Sequence, residues 1–342
     1  MDTMKAVGLT RYLPIEDPRS LEDVVIEKPT VTGRDILVKV SAISVNPVDT
    51  KVRAPKDKVE ETPKVLGWDI AGIVEEVGPD CSLFQPGDEV FYAGSIARQG
   101  GNSEYHLVDE RIVGRKPASL SFAEAAALPL TSITAWESLF TRMSISQDAA
   151  DNGGKALLII GAAGGVGSIA IQLAKQAGLT VIGTASRPET VDWIQSMGAD
   201  YTINHHEPLL PQLQTIGFPN VPFIFCLNAL EKHWHGISEA IAPQGIVCAI
   251  DDPVSPLDLT LLKPKSATFV WEFMFTRSLY ETDDMIEQHQ LLNRIADEVD
   301  NQKLKTTLTK VIGPISAANL REAHKLLESN RTIGKIVLEG FV

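Results

Sequence analysis

Residues 155–178 read KALLIIGAAGGVGSIAIQLAKQAG. Ala156 to Ile160 is an apolar run without alternation, which suits a strand covered on both faces at the centre of a parallel sheet. Gly161-Ala162-Ala163-Gly164-Gly165-Val166-Gly167 follows. After it, Val166, Ile169, Ala170, Leu173, Ala174 and Ala177 recur at helical spacing and give one apolar face. Strand, glycine turn and helix in that order is the setting in which glycines hold a dinucleotide. Glycine lets the backbone turn sharply and approach a pyrophosphate, and the free N–H groups of the helix start receive its charge. The pattern is not a full G-x-G-x-x-G, because Ala162 stands where the first glycine would be.

The next apolar run, Thr180 to Ala185, ends at Ser186-Arg187. A fold of this type that prefers NAD carries an acid about 20 residues beyond the glycines, on the ribose hydroxyls. Ala185, Ser186 and Arg187 occupy that place here. The nearest acid, Glu189, reads as part of a capping box, Ser186-Arg187-Pro188-Glu189, that opens the next helix. A hydroxyl and a guanidinium suit a 2′-phosphate, and no carboxylate repels it, so the sequence predicts NADPH over NAD.

A length of 342 residues suggests two domains or one large one. A net charge of -13 argues against nucleic acid or an anionic membrane surface as partner, since both need basic protein surface. No stretch approaches the length of a transmembrane helix, and Met1-Asp2-Thr3-Met4-Lys5 lacks the apolar core of a signal peptide. Cys81, Cys226 and Cys248 are scattered and odd in number, as buried thiols of a reducing compartment are. A cytoplasmic protein is expected.

Residues 1–128 read as mostly β. Met4–Leu9, Asp35–Val40, Gly67–Gly78, Glu89–Tyr92 and Ser103–Val108 have strand patterns, and the chain leaves the sheet at Asn46-Pro47. Ser121-Phe122-Ala123-Glu124 is a capping box ahead of an alanine-rich turn; Pro129 interrupts the helical pattern, which resumes over Thr131–Met143. From Lys155 strands and helices alternate, as in a doubly wound sheet. Further strands fall at Tyr201–Asn204, Pro222–Leu227, Gly245–Ile250 and Thr268–Phe273, and a helix at Met285–Val299. The tail from Leu304 reads strand, helix, strand, too little for a domain, so it is expected to pack back on the first segment.

The order Asn46-Pro47-Val48-Asp49, Gly67-Trp68-Asp69-Ile70-Ala71-Gly72, Pro86-Gly87-Asp88, Gly161 to Gly167, and a tail with Gly334-Lys335-Ile336-Val337-Leu338 resembles the medium-chain dehydrogenase/reductase superfamily. Within it the chain is most similar to the zinc-free quinone oxidoreductase branch. Leu107–Pro117 and Trp271–Ser278 resemble the bacterial zinc-type alcohol dehydrogenase-like group. The resemblance implies an α/β chain with a GroES-like β-rich catalytic domain, residues 1–128 and 277–342, around a Rossmann doubly wound parallel-sheet domain, residues 129–276. It implies a substrate cleft between them. The zinc-ligand positions of the alcohol dehydrogenases fall by this resemblance at Asn46, Trp68 and about Leu130, with Asp69 at the neighbouring acid, a poor donor set; no zinc is expected. His205-His206 and His233-Trp234-His235 lack clustered acids or thiols and are not expected to bind metal either.

Without a Lewis acid, an acceptor that is already electron-poor needs the least help. The expected reaction is therefore NADPH-dependent hydride transfer to a quinone or α,β-unsaturated carbonyl. The catalytic candidates are Asn46, Asp49 and Lys51. Lys51 stands where this branch often has tyrosine, and it is expected either to bond the substrate oxygen or to pair with Asp49. Trp68, Tyr92 and Asn102 are expected in the substrate pocket. For the cofactor the candidates are Thr134 at the nicotinamide, Gly164, Gly165, Val166 and Gly167 at the pyrophosphate, Ser186, Arg187 and His205 at the adenosine phosphate, and Leu227 and Asn228 at a strand end. Two alternatives stay open: an NADPH-binding protein with little turnover, and an enoyl-thioester reductase. The apolar run Thr268–Trp271 reads as a sheet edge that needs cover, and a homodimer is expected.

Overall fold

In the computed structural model, which describes residues 2–341, Ala156–Ile160 is a strand with all five residues buried. It stands near the middle of a six-stranded parallel sheet. Across the sheet the strands are Tyr201–Ile203, Thr180–Thr184, Ala156–Ile160, Val221–Cys226, Ile241–Ala249 and Thr268–Trp271. Numbered along the chain this is 3-2-1-4-5-6, the doubly wound dinucleotide-binding order. The register sets Tyr201, Ile182, Leu158, Ile224, Val247 and Phe269 in one row. The four central members of that row lie in the buried core of this unit, each worth about 1.5–3 kcal/mol of burial.

Crossover helices cover the sheet: Gly165–Gln176, Pro188–Ser196, Leu209–Thr215 and Leu230–Ala240. The first follows directly from the glycine turn and stops at Gly178, whose φ of +80° only glycine adopts readily and whose absent side chain leaves room for the Ala149 backbone. This unit spans Thr134–Met274.

The second unit comprises Met1–Ile133 and Phe275–Val342. Its seven-stranded sheet runs Leu308–Ile315, Lys335–Phe341, Asp35–Ser44, Ile70–Val77, Glu89–Tyr92 and Gly114–Arg115, with Tyr105–Asp109 also paired to Asp35–Ser44. Glu22–Glu27, Thr3–Tyr12 and Lys56–Val65 form a separate three-stranded sheet. The tail does return as strand, helix and strand. Lys335–Phe341 pairs antiparallel with Asp35–Ser44, Val337 facing Ser44 and Leu338 facing Ile43. The fold is thus a GroES-like β-rich unit with a Rossmann parallel-sheet unit. Among the described residues, no helix is long and apolar enough to cross a membrane.

Two local expectations need correction. The helix at Pro188–Ser196 is capped by Arg187 with Thr190, not by Ser186 with Glu189: the Arg187 N–H donates to Thr190 Oγ1 at 3.2 Å. Pro188 holds its predecessor extended, and that is the N-cap conformation, so the cap falls on Arg187. Pro129 does not interrupt a helix but begins one, Pro129–Trp136, as its fixed φ allows in a first turn; a π-helical turn, Glu137–Arg142, continues it. The chain does leave the sheet at Asn46, and it enters a short helix, Pro47–Arg53.

Candidate functional site

The β-rich unit gathers a polar cluster at the end of the strand Asp35–Ser44. Asn46 and Asp49 belong to the short helix start, where the Asn46 N–H donates to Asp49 Oδ2 at 2.6 Å. Asp69 enters from the start of Ile70–Val77. It accepts from Asn46 Nδ2 at 2.8 Å on Oδ2, and from the Leu130 N–H at 2.8 Å on Oδ1. Lys335, at the start of the returning strand, places its ammonium between them. Its Nζ donates to Asp69 Oδ2 at 2.9 Å, to the Val45 carbonyl at 2.9 Å and to Asn46 Oδ1. Asn46, Asp49, Asp69 and Lys335 are all buried.

Charge states follow from this hydrogen-bond inventory. Three donors converge on the two Asp69 oxygens, one of them the Lys335 ammonium at 2.9 Å, and these favour the ionised carboxylate. Burial pushes Asp69 upward; Lys335, the Leu130 N–H and Asn46 work against that. Lys335 offers three hydrogens to three acceptors, the complement of an ammonium. The pair is then neutral. Burial pushes Asp49 up to about 7, opposed by the Asn46 N–H and Lys335 and reinforced by Asp69. The Asn46 amide orientation is fixed by the same reasoning: its oxygen must face the ammonium, and its NH₂ then donates to Asp69 and to the Trp68 carbonyl at 3.2 Å. Asn46 has no hydrogen left to donate.

Trp68 is buried, edge-on to Phe275 with ring centroids 6.0 Å apart, and its Nε1 donates to the Ser95 carbonyl at 3.2 Å. Tyr92 is buried against His106. The His106 Nε2–H donates to the Gln99 carbonyl at 2.9 Å, which leaves Nδ1 as acceptor, so the Tyr92 hydroxyl donates to it at 3.0 Å. Burial lowers His106 to about 4 and raises Tyr92 well above its ordinary value, consistent with a neutral pair. Asn102 lies against Gly67, where a side chain on glycine would meet Asn102 Oδ1 at 2.2 Å. Its Nδ2 is buried and, among the described residues, has no hydrogen-bond partner. Lys51 is exposed on the short helix.

In the parallel-sheet unit the strand ends bring the cofactor candidates to one edge. Gly161 has φ +85°, and its N–H is held by Thr184 Oγ1 at 3.1 Å. A side chain there would meet Asn228 Oδ1 at 2.9 Å and Leu227 at 3.3 Å, so Leu227 and Asn228 stand beside the turn. A side chain at Gly167 would come within 2.4 Å of the Ala162 carbonyl oxygen, whereas at Gly164 the nearest contact would be 3.6 Å away. Glycine at 167 lets helix meet strand; at 164 it leaves an open cradle at the helix start, which fits a pyrophosphate. Ser186 is exposed, and the half-buried Arg187 pairs with Glu189 at 3.4 Å. The His205 ring lies 4.4 Å from His206 and 6.3 Å from His233. Burial lowers His205, and His206, Lys232 and Arg187 lower it further; burial, then His205, Lys232 and His206, take His233 to about 4. Thr134 is buried in the helix Pro129–Trp136.

Sequence reasoning missed Lys335, His106 and the basic neighbours Lys232 and His233. A signal existed for Lys335: a lone charge opening the apolar run Ile336-Val337-Leu338 must be buried with partners or be misplaced.

The four positions that the resemblance relates to zinc ligation do meet in the polar cluster, and they do not fit zinc. Asn46 offers an amide already taken, Trp68 an indole N–H that donates, Leu130 an aliphatic chain, and Asp69 a carboxylate with every oxygen engaged. Among the described residues no three His, Cys, Asp or Glu side chains group so as to hold a metal ion.

Comparison with known proteins agrees with this architecture. The alcohol dehydrogenase GroES-like domain family matches residues 32–135, and the zinc-binding dehydrogenase family residues 197–338. A zinc-type alcohol dehydrogenase-like protein of Staphylococcus aureus (strain MSSA476) is 47% identical over 335 residues, 98% of this chain and 99% of its own. A crystal structure from Rhizobium etli, assigned as a zinc-dependent alcohol dehydrogenase, superposes with a TM-score of 0.95 at 52% identity, covering 100% of this chain and 99% of that one. The quinone oxidoreductase of Pseudomonas syringae superposes with a TM-score of 0.82 at 27% identity, over 98% and 99% of the two chains. The chain belongs to the medium-chain dehydrogenase/reductase superfamily of oxidoreductases.

Proposed function

We propose that the protein transfers hydride from NADPH to a quinone or an α,β-unsaturated carbonyl. The observation that carries the cofactor choice is the group of basic side chains at the strand-end edge: Arg187, His205, His206, Lys232 and His233, in a chain of net charge -13. Burial, and then the neighbouring basic side chains, lower His205 and His233, and a phosphate dianion placed among them offsets that repulsion. Ala185, Ser186 and Arg187 follow the strand Thr180–Thr184 without an acid among them; the nearest, Glu189, pairs with Arg187 at 3.4 Å, and a 2′-phosphate would compete with it for the guanidinium. The glycine turn receives the pyrophosphate, and the bound cofactor supplies the hydride.

The choice of acceptor rests on the donor set. The cluster around Asn46 offers no Lewis acid to polarise an alcohol or simple ketone, so the reaction suits an acceptor whose own conjugation takes up the charge. Asn46 and Tyr92 have their hydrogens committed internally. The buried, unpartnered Nδ2 of Asn102 is the group we assign to the acceptor oxygen. The quinone oxidoreductase likeness supports the same class. The outer strand Thr268–Trp271 exposes Trp271 and is followed by exposed Phe273, which favours pairing of two copies along this edge.

The test is NADPH oxidation followed at 340 nm against 1,4-benzoquinone, 9,10-phenanthrenequinone, a 2-alkenal and a simple ketone, with NADPH and NADH, with and without chelator. Turnover of a quinone or alkenal with NADPH, indifferent to chelator, is expected. Chelator-sensitive ketone reduction, or saturable NADPH binding without turnover of any compound, overturns the reading.

A further inference from the structure

The cluster around Asn46 already contains a cation. We infer that the Lys335 ammonium is the resident cation of this site: it sits among the positions from which a metal would be held, locks Asn46 and Asp69 in place, and excludes zinc by occupancy. The inference does not depend on which electron acceptor is reduced.

Three observations support it. The ammonium is saturated: its three hydrogens meet the Val45 carbonyl, Asn46 Oδ1 and Asp69 Oδ2, and the side chain is 4% exposed. A dication at the same oxygens would have to displace Nζ, leaving a second positive charge buried beside it. The fold also holds the lysine there from its backbone. The Lys335 N–H donates to the Thr307 carbonyl at 2.8 Å, the Val45 N–H donates to the Ile336 carbonyl at 3.2 Å, and Ser44 Oγ donates to the same carbonyl at 2.9 Å. These bonds fix the first residue of the returning strand beside Val45 and Asn46, so the stem has one direction to run. Finally, the charges close: the Lys335 ammonium and the Asp69 carboxylate lie 2.9 Å apart, both buried, and cancel.

Lys335 is thus a positioning residue. It fixes the Asn46 amide, whose NH₂ then binds the Trp68 carbonyl, and so couples the C-terminal strand to the segment Gly67–Asp69. A purely apolar packing role for its stem would survive replacement by an isosteric neutral side chain; a resident cation would not.

The experiment uses the full chain. Wild type is incubated with zinc, desalted and assayed for metal by plasma mass spectrometry; substoichiometric zinc, unchanged in Asp69→Asn, is expected. Thermal melts are then compared for wild type, Lys335→Met, Lys335→Ala, and Lys335→Met with Asp69→Asn. Lys335→Met should lower the melting temperature markedly, and the double variant should recover part of the loss, because no orphaned charge remains. Propylammonium should raise the melting temperature of Lys335→Ala more than that of wild type, and 1-propanol should not. One zinc per wild-type chain, lost on Asp69→Asn, overturns the inference, as does a Lys335→Met protein that melts with wild type. If the single lysine variants do not fold, the wild-type zinc measurement still decides.

Discussion

Glu272 predicts a pH-dependent stability confined to the parallel-sheet unit. It follows the outer strand, is buried, and accepts from Arg142 Nε at 2.8 Å. Burial, with the buried Glu137 beside it, pushes it up to about 8 from an ordinary 4.5. The folded protein therefore keeps a proton that the unfolded chain releases. Stability from this group is complete below pH 4.5 and is lost as pH rises through 8. His233 in the same unit works the other way: lowered to about 4, it makes the unfolded chain the better proton acceptor below its ordinary 6.5. The two oppose each other between pH 4.5 and 6.5, and His205, lowered as well, adds to the histidine side. Between pH 6.5 and 8 Glu272 acts alone within this unit (Asp49, raised to about 7, belongs to the other), one proton deep, at about 1.4 kcal/mol per pH unit, or about 2 kcal/mol in all. For a unit of this size that is about 6–8 °C in melting temperature. The assay is tryptophan fluorescence during heating without cofactor, since of the five tryptophans Trp136, Trp193, Trp234 and Trp271 lie in this unit and only Trp68 does not. Wild type should melt lower at pH 8 than at 6.5, and Glu272→Gln should melt at nearly one temperature across that range. An equal slope in both proteins, or a flat wild type, refutes the assignment of the proton.

Arg187→Ala should weaken NADPH binding by about 10–100-fold, the loss of about 1.5–3 kcal/mol for a hydrogen bond to a charged group, while NADH binding changes little; titration of both by cofactor fluorescence checks this. Gly167→Ala places a methyl 2.4 Å from a backbone oxygen that cannot move without the strand, so stability should fall by about 1–3 kcal/mol or more and binding of both cofactors should fail together, read by thermal melts and titration. Asn102→Ala should lower kcat/KM for the quinone by about 10-fold or more with NADPH affinity unchanged, as loss of one donor to a developing oxyanion does; equal kinetics would remove Asn102 from the site.

The parallel-sheet unit was legible because its physics is local. An apolar run covered on both faces, a glycine turn and a helical stripe each announce themselves within a few residues, and their alternation implies a parallel, doubly wound sheet. The β-rich unit was legible only in part. Glu22–Glu27 and Lys56–Val65 are largely exposed strands with little apolar patterning, and the helix Pro47–Arg53 is two turns whose start depends on Asn46 and Asp49 finding each other. The cap at Arg187 was misplaced by one residue because two overlapping box patterns compete, and Pro188 decides between them through backbone sterics.

The site divides along the same line. The glycine turn and Arg187 follow from residues near in sequence. The cluster at Asn46 joins residues 46, 69 and 335, two of them brought together only by a strand that returns from the far end of the chain. Sequence proximity carries no trace of that contact. What the sequence does carry is a constraint: a lysine opening an apolar strand must have an acid near it. Asp69, at the mouth of another apolar strand, has the complementary need. Two isolated opposite charges at strand starts are each costly alone, and each is the simplest solution for the other. Had the two been paired on that ground, the position of the ammonium would have followed, and with it the engagement of both Asn46 amide hydrogens by the Trp68 carbonyl and Asp69.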